Sequence, residues 1–323
     1  MVGQLSDSAD AARKLSGHKS VAEARRPAED WRAVIQRLGR RPVLIGLVAA
    51  LLPVPARAQK PPTLPRIGWL SAGSEPDPFL EALVTLIVAS LTAVRAARAI
   101  KDIPILYTIS GDPIEAGLAQ SLPRPGGNLT GSTFLSLEIA GKRVELLKQA
   151  LPHLRSFAAL SNTDHPGEKS ELRATETAAQ RLGINLVYVA FSQSPFGASP
   201  ELDKALETVR RARPDAMIVF PEGATMANRV SLAAFAIAQR LPSMFGWSEY
   251  VSAGGLMSYG ASLRETHVRL AGYADKILKG AKPGDLPVEQ PTRFELVLNL
   301  RTARELGLTI PPALLLQADH VLE

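Results

Sequence analysis

The sequence contains no cysteine. That excludes disulfides, thiolate metal sites, a cysteine nucleophile and a lipidated N-terminal cysteine. Histidine is scarce: His18, His153, His165, His267 and His320 are the five, and none pairs with another at metal-ligand spacing. No metal site and no cofactor is expected. There is no Gly-x-x-x-x-Gly-Lys-Ser/Thr phosphate loop, no Gly-x-Gly-x-x-Gly after the first expected strand, and no Gly-x-Ser-x-Gly elbow. Aromatic residues make up only 5% of the chain.

A concentrated positive charge is also absent from the body of the chain. The net charge is +6, but residues 1–58 hold ten Lys/Arg and five acids, leaving 27 basic and 26 acidic residues beyond them. The excess belongs to the leader, so no nucleic-acid footprint remains.

Residues 37–58 have three parts. Arg37, Arg40 and Arg41 are positive, Val43 to Leu52 is apolar, and Ala56-Arg57-Ala58 is a small-x-small cleavage signal. This order marks a secretory signal peptide cut after Ala58, and hence export. The apolar run is short of the roughly 20 residues that span a bilayer. Residues 1–36 are polar and unpatterned, so the leader is expected to begin later than Met1.

Beyond a proline-rich linker, Lys60 to Pro65, short apolar runs alternate with helical patterns. Strands are expected at 66–70, 84–89, 103–109, 157–160, 184–191, 215–220, 242–245, 256–259 and 294–300. Helical segments lie between them, among them 137–151, 168–182, 200–211, 226–240 and 264–279. A further short helical segment is expected just after Pro113, which suits a first helical turn. This alternation predicts an α/β protein with parallel sheets covered on both faces. The units are too many for one small sheet, so two lobes are expected.

Strand-end loops carry small polar residues: Ser71, Ser90, Ser110-Gly111-Asp112, Asn162, and Glu222-Gly223, with Trp247 beside them. Hydroxyls, backbone amides and a few aromatics suit reversible capture of a small polar molecule more than chemistry. The Ser110 to Asp112 turn, where a strand meets an expected helix start, is a candidate anion site. Asp164-His165 is an adjacent acid–imidazole pair, and an exported hydrolase using Ser, Asp and His165 is the enzymatic alternative.

Several segments in order carry a resemblance. Ile105 to Gly131 (with GDP, GLAQSL and RPGGNLTG), Gly141 to Leu147 (GKRVELL), Tyr250 to Gly260 (YVSAGGLMSYG), Lys279 to Pro283 and Gln290 to Ala303 (QPTRFELVLNLRTA) resemble exported substrate-binding proteins of bacterial ABC importers, a family that includes tryptophan-binding members. The resemblance covers roughly 64–323.

It implies a periplasmic binding protein fold of the first type, with two Rossmann-like lobes joined by a three-segment hinge. One lobe is expected at 64–131 plus 256–281, the other at 132–255 plus 284–323, with hinges at Gly131, Gly254, Gly255 and Pro283. The ligand would be held by Ser71, Ser90, Ser110, Gly111 and Asp112 from one lobe and by Asn162, Glu222 and Trp247 from the other. The protein would not be an enzyme, and its partners would be a small polar ligand, amino acid-like or another small molecule, and the permease and ATPase subunits at the inner membrane. Relative to the family, one βα unit of on the order of 30–40 residues is missing after Leu83. A degraded paralogue and a ligand sensor on the same fold are the alternatives.

Overall fold

The computed structural model describes residues 101–192 and 200–323, together with the backbone of two earlier strands, β1 (Ile67–Leu70) and β2 (Thr85–Ala89). The expected leader and cleavage site, and Ser71 and Ser90, lie outside the described residues.

In chain order the next strands are β3 (Ile105–Ile109) and β4 (Leu129–Thr133). There follow α1 (Ser136–Ala150), β5 (Ser156–Asn162), α2 (Glu168–Arg181), β6 (Asn185–Phe191), α3 (Pro200–Ala212) and β7 (Ala216–Val219). Then come α4 (Gly223–Ala227), α5 (Arg229–Ala238), β8 (Ser243–Phe245), α6 (Ser248–Ser252), β9 (Met257–Gly260) and α7 (Leu263–Leu278). The chain closes with a 3-10 turn at Pro283–Asp285, then β10 (Glu295–Asn299), α8 (Leu300–Glu305), α9 (Pro312–Leu315) and β11 (His320–Leu322).

Two sheets result. The first is fully parallel, in the order β1-β2-β3-β4. β3 is apolar along its length because both faces are covered. Ile105, Tyr107 and Ile109 pack with Leu118, Leu129 and Val288, while Leu106 on the opposite face meets Leu270, Tyr273 and Ile277 of α7.

The second sheet has the order β11-β10-β9-β8-β7-β5-β6. β5 to β9 run parallel, and β10 reverses direction beside β9. Its two faces bury separate cores. One holds Val144, Leu147, Phe157, Ile218, Met244 and Leu298; the other holds Leu160, Val219, Leu232, Phe245, Trp247 and Tyr250.

The strands β6-β5-β7-β8-β9 follow the doubly wound order, in which the second strand lies outside the first. The first sheet repeats that order without its outer member: among the described residues no strand lies beyond β1. An outer strand is the member whose loss, expected from the sequence, would leave the other four paired.

The lobe boundaries differ from the expected ones. β9, expected in the first lobe, pairs with β8 and β10 in the second sheet, because Leu256 and Met257 are buried in the second core. Residues 283–289, expected in the second lobe, lie along β4: Glu289 donates to Gly131 O and accepts from Thr133 N, and Val288 joins the first core. The chain therefore passes between the sheets near residues 134–135, 261–262 and 290–293.

None of the four expected hinge residues sits there. Gly131 is inside β4, where a Cβ would fall 2.0 Å from Tyr107 O of β3. Gly254 and Gly255 close the turn after α6 through bonds to Val251 O and Tyr250 O. Pro283 opens the 3-10 turn, whose Gly284 O accepts from Gly126 N. Glycine and proline marked close packing and turns here, and turns are not the only places where a chain changes lobe.

Candidate functional site

The strands of β3, β5, β7 and β8 all end toward the same region, so their following loops assemble it. Ser110-Gly111-Asp112 follows β3, Asn162 to Gly167 follows β5, Glu222 follows β7, and Trp247 follows β8. In parallel sheets this carboxyl edge is where ligands are held.

Ser110 is buried, and its Oγ lies 2.5 Å from His165 Nε2 across the two lobes. His165 Nδ1 accepts a hydrogen bond from Gly167 N at 3.0 Å. An amide nitrogen can only donate, so Nδ1 bears no proton. The neutral ring therefore carries its proton on Nε2 and donates it to Ser110 Oγ. Burial holds the His165 pKa well below its ordinary value, at about 4.

Beside this bond the two backbones touch. A Cβ on Gly111 would fall 2.8 Å from Gly167 N, and a Cβ on Gly167 would fall 2.5 Å from Gly111 Cα. Only glycine on both sides permits that approach. A third interlobe contact runs from Ser170 Oγ to Glu115 Oε2 at 3.4 Å.

Two of the nominated carboxylates serve their own loops. Asp112 Oδ1 accepts from Ile114 N at 2.6 Å and Glu115 N at 3.2 Å. The segment after Pro113 is a set of turns closed by Leu118 N to Pro113 O, not the expected helix. Its free amides are taken by Asp112, which leaves no helix-start anion site there.

Glu222 accepts from Ala224 N at 2.8 Å and Thr225 N at 2.6 Å, while Thr225 Oγ1 accepts from Glu222 N, a reciprocal capping box on α4. Burial raises the Glu222 pKa, opposed by these amides and by a hydrogen bond with Asn162. Asn162 and Glu222 are thus brought together, as the sequence could not show.

Trp247 is 5% exposed. Its ring meets Phe134 edge-on at 5.2 Å and stacks toward Tyr250 at 6.4 Å. Its Nε1, and the Oγ of Ser136 two residues after Phe134 at the first crossing, are buried without a hydrogen-bond partner. A cavity of about 640 Å³ opens beside the second crossing, lined by Ser262, Arg264 and Glu265 with Glu249, Glu295 and His320. None of the nominated residues lines it.

Beneath the second lobe's edge lies a buried ion pair. Arg143 Nη1 donates to Glu171 Oε1 at 2.7 Å, and Arg143 Nε donates to Tyr259 O at 2.9 Å. This ties α1, α2 and β9 together just before the second crossing. Burial raises the Glu171 carboxyl pKa to about 7, against the pull of Arg143.

Sequence reasoning placed Ser110, Gly111, Asn162 and Trp247 at strand ends but missed Gly167 and Phe134 as their partners. His165 was visible only beside Asp164, whose carboxylate in fact bonds Ser192 at 3.0 Å. Contacts between residues 55 positions apart leave no local signal.

The comparisons with known proteins agree with this architecture. The family described as ABC transporter substrate binding protein matches residues 81–322. A curated relative, the tyrosine-binding protein of Clostridioides difficile, is 27% identical over 222 residues, 68% of this chain. The chain spans 62% of that relative's length.

Among solved structures, a conserved domain protein from Vibrio cholerae is 27% identical with a TM-score of 0.66, over 75% of this chain and 79% of that one. The ABC domain from Streptococcus pneumoniae in complex with L-Trp is 26% identical with a TM-score of 0.65, over 74% and 79%. The fold is that of type I periplasmic binding proteins. The family match covers most of the sequence: the chain belongs to the ABC transporter substrate-binding protein family.

Proposed function

We propose that the protein captures an amino acid-like small molecule between its two lobes and presents it to an ABC importer. It would be exported through the signal peptide at 37–58 and act in the periplasm, with a permease and an ATPase at the inner membrane as partners. The observation that carries this reading is the convergence of both sheets' carboxyl edges on one interlobe contact, Ser110 and Gly111 against His165 and Gly167, in a chain of this family.

The mechanism is hinge closure about the crossings at 134–135, 261–262 and 290–293, driven by ligand contacts made only when the lobes meet. Trp247 and Phe134 supply an aromatic wall, and the Trp247 N–H is a donor that the protein itself leaves unpaired. An aromatic amino acid fits that wall. The curated relative is named for tyrosine and the pneumococcal structure holds L-Trp.

Hydrolysis is disfavoured by the tautomer of His165. A general base needs an unprotonated nitrogen toward the serine. Here that nitrogen carries the proton, and the other accepts from Gly167 rather than donating to a carboxylate.

The test is thermal unfolding of the chain from Gln59 onward with L-tyrosine, L-tryptophan, a panel of other amino acids, and sugars. A ligand at a hundredfold excess over its Kd adds about 2.7 kcal/mol to stability. An upward shift with one or both aromatic amino acids is expected. No shift with any compound, from a cooperatively folded chain, sinks the reading.

A further inference from the structure

We infer that the His165–Ser110 contact is a proton-sensitive latch that holds the two lobes together and releases them as the pH falls. This rests on the hinge-closure reading above but concerns what opens the lobes, not which ligand they hold.

The argument begins with donors and acceptors. The His165 ring makes two hydrogen bonds: Nδ1 accepts from Gly167 N within its own loop, which requires the neutral ring, and Nε2 donates to Ser110 of the other lobe, which either form can do. Adding a proton to Nδ1 sets two donors against each other, the ring N–H and the Gly167 N–H. Gly167 is the residue whose backbone lies against Gly111. A displaced Gly167 therefore disturbs the tightest point between the lobes, where no side chain exists to yield. Ser110 lies against the ring at Nε2, so opening the lobes brings water to that side of it.

The charged groups around the latch are engaged elsewhere and do not compensate a cation. From the Ser110 loop, Asp112 is turned back onto Ile114 N and Glu115 N, and Glu115 meets Ser170. From the His165 loop, Asp164 bonds Ser192. From α2, Glu168 bonds Tyr188 Oη, and Lys169 is exposed. From the β7 end, Glu222 caps α4. Burial is the cause of the lowered His165 pKa, with no charged neighbour contributing.

The sign follows. In the closed form the ring titrates at about 4, and in the open form nearer its ordinary value of about 6.5. The open form thus binds more protons in between, and acid favours it. The closed-to-open ratio falls on the order of tenfold from pH 7 to pH 5. Glu171 also titrates in this window, but its partners Arg143 and Tyr259 lie within the second lobe and do not change when the lobes part.

The absence of cysteine makes the experiment clean. Lys276→Cys on α7 and Lys204→Cys on α3 place the only two thiols on opposite lobes, both exposed. A fluorescent donor–acceptor pair there reads the interlobe distance without added ligand. The expected result is a closed population at pH 7 that opens toward pH 5, and no such change in His165→Gln. Glutamine keeps an acceptor and a donor but cannot be charged.

An unchanged distance in the unsubstituted latch, equal opening in His165→Gln, or lobes already apart at pH 7 would each overturn the inference. Should His165→Gln fold poorly, ring ¹⁵N and ¹³C NMR of the unsubstituted protein decides alone: neutral His165 protonated on Nε2 at pH 6 supports the latch, and a cation or Nδ1–H at pH 6 overturns it. L-tyrosine and L-tryptophan are then added at pH 5, where the unliganded lobes stand apart. If neither shortens the distance while the pH response persists, the ligand reading fails and the latch stands.

Discussion

Gly111 and Gly167 touch backbone to backbone across the two lobes, with 2.8 Å separating Gly167 N from the place a Cβ on Gly111 would take. Because the obstructing atoms are main chain, neither side can move aside without moving its lobe. Gly111→Ala is therefore expected to wedge the lobes apart while leaving each one folded. Overpacking of this kind costs about 1–3 kcal/mol, charged here to closure. The interlobe distance at pH 7 should resemble that of the unsubstituted protein at pH 5, with far-UV circular dichroism unchanged. A closed Gly111→Ala protein would show that the contact is incidental.

Within the second lobe, the Arg143–Glu171 pair is fully buried, at 2% and 0% side-chain exposure. Removing one member strands the other. Arg143→Leu is expected to lose about 3–5 kcal/mol of stability, read as a lower midpoint in urea. The double variant Arg143→Leu, Glu171→Leu should recover part of that loss. Equal losses in the single and double variants would mean that packing, and not the stranded charge, is responsible.

For Glu222 the structure separates two roles. Its carboxylate caps α4, so Glu222→Ala should cost about 0.5–2 kcal/mol in thermal unfolding. Glu222→Gln keeps an acceptor for the Ala224 and Thr225 amides and should lie nearer the original. If Glu222→Gln instead abolishes binding of L-tyrosine or L-tryptophan without altering stability, the carboxylate contacts ligand and its capping role is secondary.

Trp247→Phe keeps a ring against Phe134 and Tyr250 but removes the unpaired N–H. Phenylalanine is smaller, so the swap leaves a small cavity and is expected to cost on the order of 1–2 kcal/mol of stability. Loss of a buried donor to ligand is worth about 1–3 kcal/mol, hence roughly five- to 150-fold in Kd by calorimetry. Unaltered affinity with L-tyrosine and L-tryptophan would remove Trp247 from the site.

Gly131→Ala tests the corrected reading of that residue. A Cβ 2.0 Å from Tyr107 O cannot be accommodated while β3 and β4 remain paired. The expected outcome is a loss of at least about 3 kcal/mol, or failure of the first lobe to fold. A hinge residue would instead alter closure and spare stability.

The alternation of apolar runs and helical patterns, by itself, determined an α/β protein with parallel sheets, because period and burial are local properties of a strand or helix. β3 shows this: ILYTI reads as doubly covered, and both its faces are buried. The motifs also pointed to the family that the comparison shows. The strand-end residues Ser110, Asn162 and Trp247 were legible for the same reason, since a loop that follows a parallel strand must emerge at the carboxyl edge.

Only the tertiary structure decided which loop faces which. It put β9 in the second sheet, moved the crossings off the glycines and turned Asp112 and Glu222 inward as caps. It also set His165 against Ser110, 55 positions away. Those outcomes depend on which surfaces each core can bury and on hydrogen bonds that close between distant loops. No window of sequence contains both partners of such a bond.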